Sequence, residues 1–263
     1  MATGIMKLAD IAAFKDATTG RLIKAVLNKP VIELRSAAMK FYDASWRLDE
    51  QTASGDVRGS QHALGISAEA STIGCMQGIE KQIIYGDSTV SGFNGLLKIL
   101  KAAGRASNIG GTGSKLTSAL LLDETAIGLL FGNDAQLFAN NPILYGSISD
   151  ADGNEYWGYK QPRSGYCGVD ALDYKGGYCL HGIDTTDGAT EKILTDDVIF
   201  NALSNFDSGR SPTVIAMSRL AQEQLRASRT ATNATGAPAP TPTEVGGIPI
   251  IVCDSILNTE TAA

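Results

Sequence analysis

The clearest periodicity in the chain lies between Ser67 and Tyr85, where Ala70, Ile73, Met76, Ile79 and Ile83 recur at three- and four-residue steps. The spacing predicts an amphipathic helix capped by Ser67, with Glu69 and Glu80 on its polar side and its end at Gly86-Asp87. Ile73, Met76, Ile79 and Ile83 are expected to pack against a sheet. Gly74 and Gly78 stand one turn apart inside this helix. Each costs about 1 kcal/mol against alanine, so a close neighbour or a bend is expected there.

Ahead of it, Leu8 to Leu27 carries Leu8, Ile11, Ala12, Leu22, Ile23, Val26 and Leu27 near one helical face, broken at Thr18-Thr19-Gly20 and stopped by Pro30, which predicts two short helices or one broken one. Met39 to Leu48 switches to Phe41, Tyr42, Trp46 and Leu48 with polar residues between, a strand ending at Asp49-Glu50. The polar, glycine-bearing run Gln51 to Gln61 predicts a loop, and Gly92 to Leu100 a turn followed by a short apolar segment.

Between Ser118 and Ile183 the pattern is that of a sheet: Ala119–Leu122, Ile127–Phe131, Tyr156–Tyr159, Tyr166–Leu172 and Gly177–Ile183, separated by turns such as Asp152-Gly153-Asn154. Thr195 to Phe206 predicts a capped helix, Thr213 to Met217 a buried strand, and Ser218 to Arg229 a second capped helix. Thr230 to Gly247, with Pro238, Pro240 and Pro242, predicts a long exposed loop before a strand at Ile248–Cys253. The fold class is α+β, with no repeat of solenoid length.

Composition narrows the function classes. The 263 residues hold 43 % hydrophobic and 19 % charged residues, which excludes wholesale disorder. A net charge of −6 argues against a protein that neutralises nucleic-acid phosphates with a dense basic face. Cys75, Cys167, Cys179 and Cys253 are scattered, without a CxxC pair, so they read as free thiols in a reducing compartment, not as a zinc site. No run reaches the roughly 18 apolar residues of a membrane span, and Lys7, Asp10, Lys15 and Asp16 interrupt any leader-like segment in Met1 to Gly20. The expectation is a protein made and kept inside a cell, with no membrane partner.

Candidate chemistry is sparse. The run Gly110-Gly111-Thr112-Gly113-Ser114-Lys115-Leu116-Thr117 could cradle an anion, but in it serine precedes the lysine and a strand-like segment follows, so it departs from a phosphate loop and reads as a flexible turn. His62 and His181 are the two histidines, and both read as structural. Cys179 and His181 flank Leu180, which places them on one strand face, but a reactive thiol also needs an electropositive, partly exposed setting.

The carboxylates Asp43, Asp49, Glu50, Asp123, Glu124, Asp170, Asp173, Asp184, Asp187, Asp196 and Asp197 form no metal motif and read as caps and solvated faces. Arg210, Arg219, Arg226 and Arg229 read as helix-terminus charge, and Asn233-Ala234-Thr235 as a glycosylation sequon in form only. No catalytic, cofactor-binding or metal-ligating residue is assigned.

The segment Ile79-Glu80-Lys81-Gln82-Ile83-Ile84-Tyr85-Gly86-Asp87-Ser88, followed by Phe93-Asn94-Gly95-Leu96-Leu97, resembles a passage in major capsid proteins of tailed bacteriophages. There a long spine helix runs into a Gly-Asp turn. The likeness continues in order through Gly110–Ser118, the Asp152-Gly153 turn with Tyr156 and Gly158-Tyr159, and the strand entry from Gly209 to Met217. It closes on Gly247-Ile248-Pro249-Ile250 with Asp254-Ser255-Ile256-Leu257-Asn258-Thr259-Glu260, its most specific element, and covers the chain from about Ala44 onward.

The resemblance implies a fold of the Hong Kong 97 type: residues 1–38 as N-terminal arm and extended loop, 39–117 as peripheral domain with the spine helix, 118–247 as mainly axial domain, and 248–263 as C-terminal strand and tail. It implies a shell of hexamers and pentamers around packaged double-stranded DNA bound without sequence specificity. Decoration, scaffolding and portal proteins are the implied partners, the virion is the destination and the host cytoplasm the place of assembly. The chain departs from the family in one respect: about a dozen residues separate Leu27 from Met39, so the extended loop is expected to be short or missing. The rival readings are an encapsulin-like nanocompartment shell and a hydrolase or transferase using Ser114 or Cys179.

Overall fold

A computed structural model describes residues 38–263 except 91, 114, 133–136, 139–140, 150–151, 172, 187–191, 208, 234–236 and 262–263. The helices expected in Leu8–Leu27 and the short loop before Met39 lie outside these residues. Ala37–Ala263 forms one compact unit.

The strand expected from Met39 to Leu48 is two strands, β1 (Met39–Asp43) and β2 (Trp46–Asp49). Between them Ser45 folds back, its N–H donating to Asp43 Oδ1 at 2.8 Å, while Ala44 N–H reaches Arg163 O at 2.7 Å. The break therefore stays in register with a matching break at Pro162-Arg163 on the facing ribbon. Next come α1 (Glu50–Gly55) and the long helix α2 (Ser60–Tyr85).

Two expectations fail in this stretch. Gln51–Gln61 is largely helical, because Asp49 caps α1 by accepting Thr52 N–H at 2.7 Å and Ala53 is buried beneath it. The long helix also starts at Ser60, after Gly59 at φ +93°, so Ser67 is an interior residue and not the cap. The polar composition of both segments reflects helices that expose most of their surface.

The chain continues through α3 (Leu96–Ala102), β3 (Ala106–Asn108), β4 (Leu116–Leu122), β5 (Gly128–Phe131), β6 (Leu144–Ser149), β7 (Glu155–Gln161), β8 (Ser164–Asp170) and β9 (Gly177–Asp184). It closes with α4 (Asp196–Leu203), β10 (Val214–Met217), α5 (Arg219–Ala231), β11 (Glu244–Val245) and β12 (Ile248–Val252). The caps expected at Thr195 and Ser218 are present, accepting from Val198 N–H and Ala221 N–H.

Two three-stranded sheets, β1-β8-β5 and β2-β7-β6, share the ribbon formed by residues 39–49 and 158–168. A six-stranded sheet has the order β11-β12-β10-β4-β9-β3. Its central strand β4 is covered on both faces, and the two-residue period sorts its side chains. Ala119 and Leu121 join Leu180, Ile199, Ile215 and Leu225 under α4 and α5, while Leu120 joins Cys179, Leu97, Leu100 and Ile84 under α3 and the end of α2.

The segment Thr230–Gly247 is a partial correction. α5 runs on to Ala231, Val245 is buried in the short strand β11, and Gln222 Nε2 and Arg229 Nη2 donate to the carbonyls of Pro242 and Glu244. Prolines keep the middle of the segment out of any sheet, but its second half is strapped to α5.

Candidate functional site

The glycine run at 110–115 has its anion already, and that anion is internal. Asp184, at the end of β9 and buried, accepts Gly113 N–H on Oδ1 at 3.0 Å and Lys192 N–H on Oδ2 at 2.9 Å. A Cβ on Gly111 or Gly113 would lie 2.9 or 2.8 Å from that carboxylate, so glycine is required for the close approach. Thr185 Oγ1 donates to Lys115 O at 2.8 Å and completes the closure. The N–H groups of Gly110, Gly111 and Gly113 are therefore taken, by Asn108 Oδ1, Gly182 O and Asp184 Oδ1. Ser114 and Asp187 lie outside the described residues.

The strand does place Cys179 and His181 on one face, as alternation requires, but it buries the thiol completely. Burial pushes the Cys179 thiol up to about 12, so the thiolate a nucleophile needs is not populated near neutral pH. Burial, then Lys101, lowers His181. His62 sits in the first turn of α2 with Nδ1 2.8 Å from Asp56 Oδ2, a structural contact.

Several of the acids and arginines find structural partners as well. Asp123 closes a turn onto Thr125, and Arg210 meets Asp173 at 2.5 Å. Arg226 pairs with Glu223, and Arg229 forks onto Asp196 at 2.8 and 2.7 Å. Among the described residues no group of three His, Cys, Asp or Glu side chains is placed to hold a metal, and all four cysteines are free.

What the fold does present is surface. Ile79 is 4 % exposed and packs with Tyr42 and Cys167, with the half-buried Ile83 beside it, but Ile73 and Met76, expected on the sheet, stand 49 % and 47 % exposed. Ile66 continues the outward row. Ile73 and Met76, with Leu129 and Phe131 of β5, border an open apolar cavity of about 510 Å3. The expected close neighbour at Gly74 and Gly78 is absent within the described chain: a Cβ at either would meet nothing within 4 Å.

A second exposed cluster was not anticipated from the sequence. On β6 and β7 the rings of Tyr145 and Trp157 stack at 5.6 Å, and Tyr145 donates to Glu50 at 2.7 Å. The strand signal at Tyr156–Tyr159 reveals half of this hairpin. Leu144–Ser149, short and interrupted by Gly146, gives no comparable signal.

The model of the family described as major capsid protein GP7 matches residues 33–263. The chain belongs to this family. Among five matching chains of solved structures is one from the near-atomic-resolution cryo-EM structure of bacteriophage epsilon15, with a TM-score of 0.60 and 16 % identity, covering 91 % of this chain and 80 % of that one. No match was found among curated proteins.

As a member of the major capsid protein GP7 family the chain is a structural subunit of a phage capsid, not an enzyme, and its place is the virion. Its fold is the Hong Kong 97 type in an α+β setting. The capsid role accounts for the pattern above: titratable side chains are spent on turns, caps and ion pairs, whereas apolar groups are left uncovered on α2 and on the β6–β7 hairpin. Subunits of a shell meet other subunits, and such faces are covered only on assembly. Neither rival reading, the nanocompartment shell or the Ser114 or Cys179 hydrolase, gains support.

Proposed function

We propose that copies of this chain assemble as hexamers and pentamers into an icosahedral shell around double-stranded DNA, with assembly in the host cytoplasm. The observation that carries the reading is the uncovered apolar row of α2, where Ile66, Ile73 and Met76 each keep about half of their surface exposed on a helix of 26 residues and Gly74 and Gly78 leave room for a partner to approach. Covering the exposed half of each such side chain is worth about 1 kcal/mol, and symmetry repeats the gain in every copy.

In this reading residues 1–38 are the arm with a shortened extended loop, 39–117 the peripheral domain, 118–247 mainly the axial domain, and 248–263 its last strand and tail. The pairing of β5 to β8 with one another and with β1 and β2 supports counting 128–170 with the peripheral part in this reading. A net charge of −6, with Arg210, Arg226 and Arg229 engaged by carboxylates, supports a wall that confines DNA without reading its sequence. Scaffolding, portal and decoration proteins are the partner classes of such a shell. Among the described residues no helix is long and apolar enough to cross a membrane.

The test is a double substitution, Ile73→Asp with Met76→Asp. Both sites are half exposed in the subunit, so circular dichroism should match the unsubstituted chain, while sedimentation should show subunits or capsomers without closed shells. Shells formed at the unsubstituted yield would remove this face from the assembly contacts.

A further inference from the structure

After β12 the chain turns at Cys253–Ser255 and runs back beside the end of α2 to Glu260, tied on both sides by polar side chains. Glu80 of α2 accepts the Cys253 thiol on Oε1 at 2.9 Å and the Ser255 hydroxyl on Oε2 at 2.7 Å. Tyr85, the last residue of α2, donates to Glu260 Oε1 at 2.5 Å and accepts Leu257 N–H at 2.8 Å. The other oxygen of Glu260 takes the Ser118 hydroxyl of β4 at 2.5 Å, and Glu260 and Leu116 exchange two backbone bonds of 2.9 Å.

Cys253 N–H is held in turn by Met217 O of β10 at 2.9 Å. Ile256, 3 % exposed, shares an apolar cluster with Ile84, Phe93, Leu97 and Leu120. The pairing of β4 with β9 shifts register between Thr117 and Ala119, so Ser118 stands at an irregularity of the ladder, where its hydroxyl meets the tail.

Each carboxylate thus has both oxygens engaged by uncharged donors, and Glu260 draws them from two different elements. Hydrogen bonds to an ionised acceptor are short, directional and about twice as strong as neutral ones. Burial, then the Glu260 bond, hold the Tyr85 hydroxyl protonated far above its usual range, so the donor persists across working pH. The tail is therefore a brace across the junction of helix and sheet. At 1.5 Å per residue α2 is about 39 Å long, so a rotation of about 10° at Tyr85 would carry its far end, beyond Ile66, through about 7 Å. Small changes at this junction are large changes at the outward face of the helix.

We propose that residues 253–260 form a clasp that fixes the angle between the long helix and the six-stranded sheet, with Glu260 and Tyr85 as the positioning residues through which the subunit sets the curvature of its shell. The curvature claim rests on the assembly reading above, whereas the clasp itself can be read on the free subunit.

The experiment uses the full chain carrying Tyr85→Phe, Glu260→Gln or Glu260→Ala, with the alkylation rate of each cysteine followed by peptide mass spectrometry under iodoacetamide. Loss of a hydrogen bond to a charged group biases an opening equilibrium about ten- to hundredfold, so Cys253 should label faster by about that factor. Cys167, fully buried in the separate cluster of Tyr42 and Ile79, should keep its rate. Glu260→Gln, which retains one acceptor oxygen, should fall between the unsubstituted chain and Glu260→Ala. An unchanged Cys253 rate, or Cys253 and Cys167 accelerating together as in global unfolding, overturns the clasp. Electron microscopy of shells from the same variants should show a broadened spread of diameters or open sheets. Shells of unaltered diameter alongside a faster Cys253 would overturn the curvature role.

Discussion

An Ile79→Asp subunit is expected not to fold. Ile79 is 4 % exposed and packs with Tyr42 of β1 and Cys167 of β8, so its side chain joins the long helix to the sheet β1-β8-β5. An aspartate there has no cation beside it among the residues of that cluster. Burying an unpaired carboxylate costs several kcal/mol against a total stability of about 5–15 kcal/mol, and removing the isoleucine adds a cavity. Expression should give insoluble chain, or soluble chain without the helical circular dichroism signal. Met76→Asp, three residues earlier on the same helix but half exposed, should leave that signal intact. A soluble Ile79→Asp protein with an unaltered spectrum would mean that the helix is placed wrongly.

Deleting Met1–Leu27 is expected to have the opposite profile: a folded subunit that closes no shells. Ala37–Ala263 forms a compact unit of its own, and its apolar clusters are built from Tyr42 onward among the described residues. The deleted segment carries the stripe Leu8, Ile11, Ile23, Val26 and Leu27, too short to hold a helix alone in water and expected to be satisfied against a neighbouring copy. Circular dichroism and sedimentation on one sample decide the matter. Complete shells would show the arm to be dispensable, and loss of the dichroism signal would make it part of the core.

How much of this was legible in the sequence depended on what each segment packs against. β4 and β9 sit between two layers of the same chain, so Ala119–Leu122 and Gly177–Ile183 read as buried strands, and the side-chain caps Thr195 and Ser218 marked the starts of their helices. The long helix was legible from Ser67 on but not from Ser60, because its first turns bury little besides Leu64. Ile73 and Met76 follow the helical period as faithfully as Ile79 does. Periodicity reports that a face is to be covered and is silent on whether the cover is the same chain or another. The clasp was out of reach for a different reason: Glu80 and Glu260 are 180 positions apart, and no local pattern ties a carboxylate to hydroxyls on distant strands.

Assembly is the claim on which the rest depends, and one image series tests it. Purified full-length chain, brought to assembly conditions and viewed by cryo-electron microscopy, should give closed shells whose averaged surface resolves sixfold and fivefold capsomers, with the long helix at the contacts between neighbouring subunits. A chain that stays monomeric under those conditions, or that forms particles in which α2 faces solvent on every copy, would contradict the account.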